Sequence, residues 1–432
     1  MSADRGSARS APVRVPTILV MIAAALGLLT LVRYPAVSPA AVSVSPQTAL
    51  LDEPVAVSVR GLPADATAMI SATAVDAGGT TWTASAEFVV SPDGAVTLDQ
   101  PSLGGSYSGV NAMGSFQFMA PPSGSTETTF FSLPSGYDVV LQVRVGRRLY
   151  ATATVRRQGA ASVGVIKKDF RPASSGIYGS LFLPRDTRVR RPGVLVFGGS
   201  DGGLGRTFVA SLLAAHGYPA LTVAYFGVPG LPQALAEIPL EYFVKAVGIL
   251  RAQPGVDPRH VFVMGDSRGG EVALLLGAYF PHLINGVIAG VPSSVVNPGF
   301  PDRSRAAWTV QGRGLPAVMP VDLGEPNPPA SPQAVIPVEK IRGPILLSCG
   351  DLDVAWPSCP YTEAITRRLT ARHFRYPVTA LHYPDAGHLA GLFGAYFSLT
   401  DDALTNMGGT VTGTQAALAD SHARLLAFLA AQ

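Results

Sequence analysis

At 432 residues the chain exceeds what one ordinary hydrophobic core accommodates, so two domains are expected. A composition of 47% hydrophobic and only 14% charged residues excludes a disordered chain. Lys plus Arg number 32 against 29 Asp plus Glu, a net charge of +3 with no basic run and no interleaved aromatics, which leaves nucleic-acid binding without support.

Residues 1–14 form a basic flank carrying Arg5, Arg9 and Arg14, followed by the uncharged run 15–32, VPTILVMIAAALGLLTLV. That run is long for a signal-peptide core and just long enough to span a bilayer, so a transmembrane or signal segment is expected. The positive flank stays cytoplasmic and the remainder is exported, giving a membrane-anchored protein with the rest of its chain outside the cytoplasm. Small residues at 38–40, SPA, offer a cleavage site, and cleavage would make the protein secreted. No Cys adjoins the run, which excludes a lipoprotein anchor.

Residues 41–158 alternate apolar and polar side chains between Gly, Pro, Ser and Asp turns. Val55, Val57 and Val59 share one face, and the runs LQVRV and LYATATV flank GRR as a hairpin. Short alternating strands without helical periodicity predict an immunoglobulin-like β-sandwich, with no cluster in it that carries chemistry. Residues 159–175 read as a linker.

The rhythm then changes. From 176 to 432 continuously apolar strands (GVLVFGG, PALTVAYFG, HVFVMG, INGVIAG, GPILLSCG, VTALHYP) alternate with helical stretches such as TFVASLLAAHG and LEYFVKAVGILRAQ. This pattern predicts a mostly parallel, doubly wound α/β sheet covered on both faces. A Pro-rich insertion at 292–337 has poor periodicity and enough length to cap the strand ends.

Gly265-Asp266-Ser267-Arg268-Gly269 is a G-x-S-x-G sequence between a predicted strand and a predicted helix, the setting in which a strained turn exposes a nucleophilic serine. A serine hydroxyl needs a base and an acid that orients it, expected in the chain order Ser, acid, His. Asp351 and Asp353 follow the strand GPILLSCG, and His388 follows VTALHYP. Asp353 lies further into its loop and is the favoured acid, with Asp351 serving the turn. His388 is the favoured base. Its competitor His382 lies inside the strand pattern and is expected to pack on the sheet, Asp385 suits a local turn bond, and His216, His260, His282, His373 and His422 read as structural. The backbone N–H of Arg268 and one from Gly199 or Ser200 in GGSDGGLG are the expected oxyanion donors. That Gly-rich loop lacks the Lys and Ser/Thr of a phosphate-binding P-loop. The Arg268 side chain faces either an anionic substrate group or solvent. Cys349 and Cys359 suit either a disulfide or two buried thiols. No cofactor or metal is called for.

A β-sandwich followed by an α/β-hydrolase domain resembles the acyl-CoA thioesterases related to bile acid-CoA:amino acid N-acyltransferase. The likeness runs from residue 41 to the C-terminus through LLDEPVAVSVRGLP, LGGSYSGVNAMG, FGGSDGGL, ALTVAYFG, LEYFVKAVGIL, the Ser267 turn, GDLDVAW and YPDAGH. It implies Ser267 as nucleophile, Asp353 as acid and His388 as base. One branch of the family transfers acyl groups to amino acids from a Cys, whereas Ser implies water as acceptor and therefore hydrolysis of acyl-CoA. Export departs from the relatives that meet acyl-CoA inside cells. Two further readings follow: an exported carboxylesterase or envelope-lipid acyl hydrolase, and a membrane-tethered binding protein with an inert hydrolase domain.

Overall fold

Period-two burial dictates the first part of the fold. The computed structural model describes residues 39–318 and 331–432; the basic flank 1–14, the apolar run 15–32 and part of the Pro-rich insertion lie outside them. Nine strands come first: β1 Ala41–Ser45, β2 Thr48–Leu50, β3 Ala56–Arg60, β4 Thr67–Val75, β5 Thr81–Val89, β6 Val96–Thr97, β7 Gly104–Gly105, β8 Gly136–Val145 and β9 Arg148–Gln158. They form a three-stranded sheet, β1-β3-β6, and a six-stranded sheet, β2-β9-β8-β4-β5-β7. Every second residue of β4 (Ala68, Ile70, Ala72, Ala74) and of β5 (Trp82, Ala84, Ala86, Phe88) is buried, and these meet Val57, Val59 and Val96 of the smaller sheet in one cluster. Alternation places one face of each sheet inward, so the shared core follows directly from sequence. The GRR turn joins β8 and β9 as an antiparallel hairpin.

The second part is built on β10 Ile166–Phe170, β11 Tyr178–Leu183, β12 Arg191–Phe197, β13 Ala220–Ala224, β14 Ile238–Pro239, β15 Val256–Asp266, β16 Gly286–Gly290, β17 Trp308–Val310, β18 Arg313–Gly314, β19 Ile345–Gly350 and β20 Val378–Tyr383. Eight of them form one sheet in the order β10-β11-β13-β12-β15-β16-β19-β20. The first two pairings are antiparallel and the remainder parallel. Strands β12, β13, β16 and β19 are buried along almost their whole length, as expected where both faces are covered. Helices Thr207–Ala215, Leu240–Arg251, Arg268–Tyr279, Ser358–Ala371 and Val411–Ala430 pack around this sheet. Residues 166–170, read as linker, are the sheet's edge strand β10, so the sheet begins before residue 176.

Two findings position the site. The parallel strands end together at the edge where β15 gives way to helix Arg268–Tyr279, the edge where ligands of open α/β sheets bind. The insertion folds back over that edge: its β17 pairs with β14 and β18, and Val296 and Val318 join their backbones. The β-sheet part is fused to the sheet part by polar contacts as well as apolar ones. Gln415 Nε2 donates to the carbonyl of Gln117 at 3.1 Å, Ser398 Oγ donates to the carbonyl of Phe116 at 2.9 Å, and Leu212 of helix Thr207–Ala215 enters the β-sheet core. Among the described residues no helix is long and apolar enough to cross a membrane.

Candidate active site

The turn from β15 into helix Arg268–Tyr279 is made by Ser267 at φ 56°, ψ −124°, a conformation that costs an L-residue on the order of 1–3 kcal/mol. The flanking glycines are required by space. A Cβ on Gly265 would lie 2.4 Å from the Gly269 carbonyl oxygen, and one on Gly269 would lie 2.5 Å from that of Gly198. The Ser267 N–H donates to Gly290 at the end of β16 (2.9 Å), and the Ser267 carbonyl accepts from Glu271 (3.0 Å), fixing the turn from both sides. Asp266 is buried and receives the Arg206 guanidinium in two bonds of 2.6 and 2.5 Å, a bidentate pair that clamps the Gly-rich loop 198–206 against the turn. Burial opposes the charge on Arg206, and the Asp266 carboxylate outweighs it, raising the guanidinium above its ordinary value.

His388 Nδ1 lies 2.8 Å from Asp353 Oδ2. The other Asp353 oxygen, Oδ1, accepts the N–H groups of Ala355 (3.0 Å) and Trp356 (3.3 Å), and the Asp353 side chain is 1% exposed. A carboxylate held in this way fixes the imidazole with Nδ1 as donor and leaves Nε2 for the cavity. Trp356 packs its ring edge-on against His388 at 5.9 Å and anchors its own Nε1 on the Val291 carbonyl. The two loops are splinted together by Met407, Gly408 and Gly409: His388 N–H donates to Met407 (2.7 Å), and Asp353 bridges to Gly408 and Ala386 to Gly409. The Cys349–Cys359 disulfide closes the base of the Asp353 loop.

Ser267 and His388 line one cavity with Ser200, Arg268, Asn297, Pro298, Gly299, Phe300, Arg303, Ala355 and Trp356. Its volume of about 220 Å³ is below the roughly 300–1,000 Å³ of sites that enclose a drug-sized ligand. Residues 297–303 come from the insertion, which forms one wall.

Of the expected oxyanion donors, Arg268 and Ser200 reach the cavity wall, and Gly199 packs behind it: a Cβ there would lie 3.0 Å from Ser267 Cβ. The Arg268 N–H is among the first N–H groups of its helix, which have no intrahelical acceptor. The Ser200 N–H is oriented by a residue that sequence reasoning missed. The buried Tyr225 hydroxyl donates between the carbonyl oxygens of Gly198 (2.8 Å) and Gly199 (2.7 Å). In a planar trans peptide the N–H opposes the C=O, so fixing Gly199 toward Tyr225 turns the Ser200 N–H away from it. Burial, above all, pushes the Tyr225 phenol far above its ordinary value, keeping it a neutral donor.

Two expectations are corrected. The Arg268 side chain faces neither solvent nor an open anion site: it is 6% exposed, pairs with fully buried Glu271 at 3.0 Å, and donates to the carbonyls of Pro298 and Asn297. Glu271 also accepts from Asn297 Nδ2 (2.8 Å) and Trp308 Nε1 (2.6 Å), so the pair bolts the insertion to the helix after Ser267. Desolvation raises the Glu271 carboxyl above its usual range against the pull of Arg268. His382 does not pack on the sheet but is exposed on β20, its Nε2 2.6 Å from Asp351 Oδ1. The two competitors for the acid and base positions thus occupy each other at the surface. Asp385 uses its backbone carbonyl, which accepts from Thr410 N–H.

Comparison with known proteins decides the family. The family model described as "Acyl-CoA thioester hydrolase/BAAT N-terminal region" matches residues 52–167, and that described as "BAAT / Acyl-CoA thioester hydrolase C terminal" matches residues 238–432. Acyl-coenzyme A amino acid N-acyltransferase 2 of Rattus norvegicus is 31% identical over 363 residues, covering 80% of this chain and 85% of the relative. The chain belongs to the acyl-CoA thioester hydrolase/BAAT family. Acyl-coenzyme A thioesterase 6 of Mus musculus is 30% identical over 356 residues, covering 78% of this chain and 82% of that relative. Among solved structures, a putative dienelactone hydrolase from Klebsiella pneumoniae subsp. pneumoniae MGH 78578 is 17% identical, with a TM-score of 0.42, over 62% of this chain and 99% of its own.

Proposed function

We propose that this member of the family is a serine hydrolase of acyl thioesters that converts acyl-CoA to free fatty acid and CoA. The observation that carries the reading is the 2.8 Å contact of His388 Nδ1 with buried Asp353 in a cavity that His388 shares with Ser267. His388 Nε2 takes the Ser267 proton as Oγ attacks the thioester carbonyl. The tetrahedral oxyanion accepts hydrogen bonds from the Arg268 and Ser200 N–H groups. The intermediate collapses with return of the proton from His388 to the departing thiolate, leaving the acyl group on Ser267. Water, deprotonated by His388, then attacks the acyl-serine and releases the acid. Arg303, exposed at the cavity wall, offers a cation to an anionic leaving group such as the phosphates of CoA.

The second reading, an exported carboxylesterase or envelope-lipid acyl hydrolase, is favoured by one specific observation: the Cys349–Cys359 bond suits an oxidising compartment. Together with the apolar run 15–32, it supports a protein anchored in the membrane with residues 39–432 outside the cytoplasm, or secreted after cleavage. The two sheets of 41–158, with Trp82 at 0% exposure in their shared core, support an immunoglobulin-like sandwich.

The full-length protein assayed in parallel on palmitoyl-CoA and a p-nitrophenyl ester, with Ser267→Ala as control, tests the proposal. A higher kcat/KM on the thioester, lost in the variant, is expected. Preference for the oxyester would establish the second reading instead.

A further inference from the structure

Outside the lining of the Ser267 cavity, Asp52, His216 and His422 converge where the β-sheet part meets the hydrolase part. Asp52 lies in the turn after β2, His216 caps the C-terminus of helix Thr207–Ala215, and His422 sits on helix Val411–Ala430. Asp52 is 4% exposed and His422 5%. Both imidazoles bring Nε2 to the same carboxylate oxygen, Asp52 Oδ2, at 3.0 Å for His216 and 2.9 Å for His422.

The hydrogen inventory of His422 points to a missing partner. Its Nδ1 lies 2.9 Å from the carbonyl oxygen of Phe393, which can only accept, so Nδ1 carries a hydrogen. In the neutral ring Nε2 is then a lone pair facing the lone pairs of Asp52 Oδ2, an unfavourable contact that either a proton on Nε2 or a metal cation between the two relieves. At 2.9 Å from Asp52 Oδ2, Nε2 of His422 lies outside good hydrogen-bond alignment, and Asp52 Oδ1 is buried without a partner. The His rings are 6.1 Å apart and tilted by 55°, so ring stacking does not account for the assembly.

We propose that Asp52, His216 and His422 form a structural site for a divalent transition-metal ion of the Zn²⁺ type that staples the two parts of the chain together. Two imidazole Nε2 atoms and a carboxylate are a donor set that Zn²⁺ takes, with water in the fourth position. The Nδ1–H bond of His422 to Phe393 is the outer contact that fixes the tautomer for metal ligation. Bonds of about 2.0–2.2 Å place tetrahedral ligand atoms roughly 3.3 Å apart, so the two His–Asp52 contacts of 3.0 and 2.9 Å need to open by a few tenths of an ångström. All three ligand atoms already lie within 4.8 Å of one another. Of the charges around them, Arg157, whose Nη2 donates to the carbonyls of Leu51 and Glu53, and the Glu53 carboxylate are opposite in sign, so Asp52 supplies one net negative charge toward the ion. Because the ligands come from distant parts of the sequence, binding would add directly to the stability of the folded junction.

The test is a Zn²⁺ titration of the untagged full-length protein after chelator treatment, in competition with a chromophoric chelator, with thermal melting alongside and Co²⁺ as a spectroscopic probe. One ion per chain, a melting temperature raised by Zn²⁺ and a visible Co²⁺ spectrum of low-coordinate type are expected. His422→Gln and, separately, His216→Gln should each weaken Zn²⁺ binding at least about 100-fold, since even outer contacts are worth 10–100-fold. The His216 variant, at the more exposed ligand, keeps the test valid if the His422 variant does not fold. Stoichiometric binding that neither variant weakens would overturn the proposal. So would a wild-type melting temperature indifferent to Zn²⁺ and chelator but dependent on pH, which would give the position between His422 and Asp52 to a proton.

Discussion

The hydroxyl of Tyr225 lies 2.7 Å from the carbonyl oxygen of Gly199, the residue whose backbone packs directly behind Ser267. Tyr225 touches no substrate on this account and acts by orienting the Ser200 N–H. Removing a whole oxyanion donor costs about 10²–10³ in kcat. Tyr225→Phe, which loosens a donor without deleting it, should lower kcat about 10–100-fold with KM nearly unchanged. Steady-state kinetics on the preferred ester provides the check, and a change confined to KM would count against a role in orienting the oxyanion donor.

Gly408 shows why the acid and base loops stay in register. It has φ +71°, and a Cβ there would lie 1.8 Å from the Leu352 carbonyl oxygen, one residue before Asp353. Gly408→Ala should therefore cut kcat by at least about 100-fold, the scale on which an ångström of misplacement acts. Gly312→Ala is the control: φ is +73° but the space is open, so only the strain of about 1–2 kcal/mol applies. Equal kinetics for the two variants would show that the clash is not transmitted to the triad.

Much of the arrangement of this candidate site is legible in the sequence itself. The glycines of G-x-S-x-G are forced by contacts of 2.4 and 2.5 Å, a requirement so severe that the spacing itself reports it. Chain order and loop position favoured Asp353 and His388 over Asp351 and His382, whose surface pairing no sequence rule would reveal. Alternation in β4 and β5 and unbroken apolar runs in β12 and β16 specified two layers of different kinds, because burial on one face or on both leaves different patterns.

What stayed hidden depends on contacts between distant residues. Tyr225 reads as one more apolar position of a buried strand end, and only the position of its hydroxyl reveals the bond to a loop 26 residues earlier. Arg268 is a cation beside the nucleophile, where an anionic substrate group or solvent is the expectation; its partner Glu271 is visible at helical spacing, but its burial under Asn297 and Trp308 of an insertion without periodicity is not. Residues 166–170 carry two Lys and an Asp, polar enough to read as a linker, yet an edge strand tolerates that composition because one face stays open to solvent.

Glu271 and Arg268 also allow a stability prediction. Truncating one partner of a buried pair leaves the other charge unpaired, at a cost of about 3–5 kcal/mol. Glu271→Ala should lower the free energy of unfolding by that amount, whereas Arg268→Met combined with Glu271→Leu should cost less than Glu271→Ala alone. Denaturant unfolding of the three proteins decides it; a double variant worse than Glu271→Ala would show that the charges themselves, and not merely their mutual compensation, hold the insertion.

The Cys349–Cys359 bond closes the loop that presents Asp353. A loop of this length is worth about 2–3 kcal/mol by chain entropy. Paired Cys349→Ala and Cys359→Ala should lose that stability and lower kcat less than tenfold, because Asp353 is held separately by the Ala355 and Trp356 N–H groups. Thermal melting and kinetics with and without reductant measure both effects; unchanged stability would remove the bridge from the account.

The central claim is that the acyl group passes through Ser267. Full-length protein mixed with excess palmitoyl-CoA, quenched in acid and mapped by peptide mass spectrometry should show a palmitoyl adduct on Ser267, and Ser267→Ala should show neither the adduct nor CoA release above background. Release of CoA at the wild-type rate by Ser267→Ala would contradict the account.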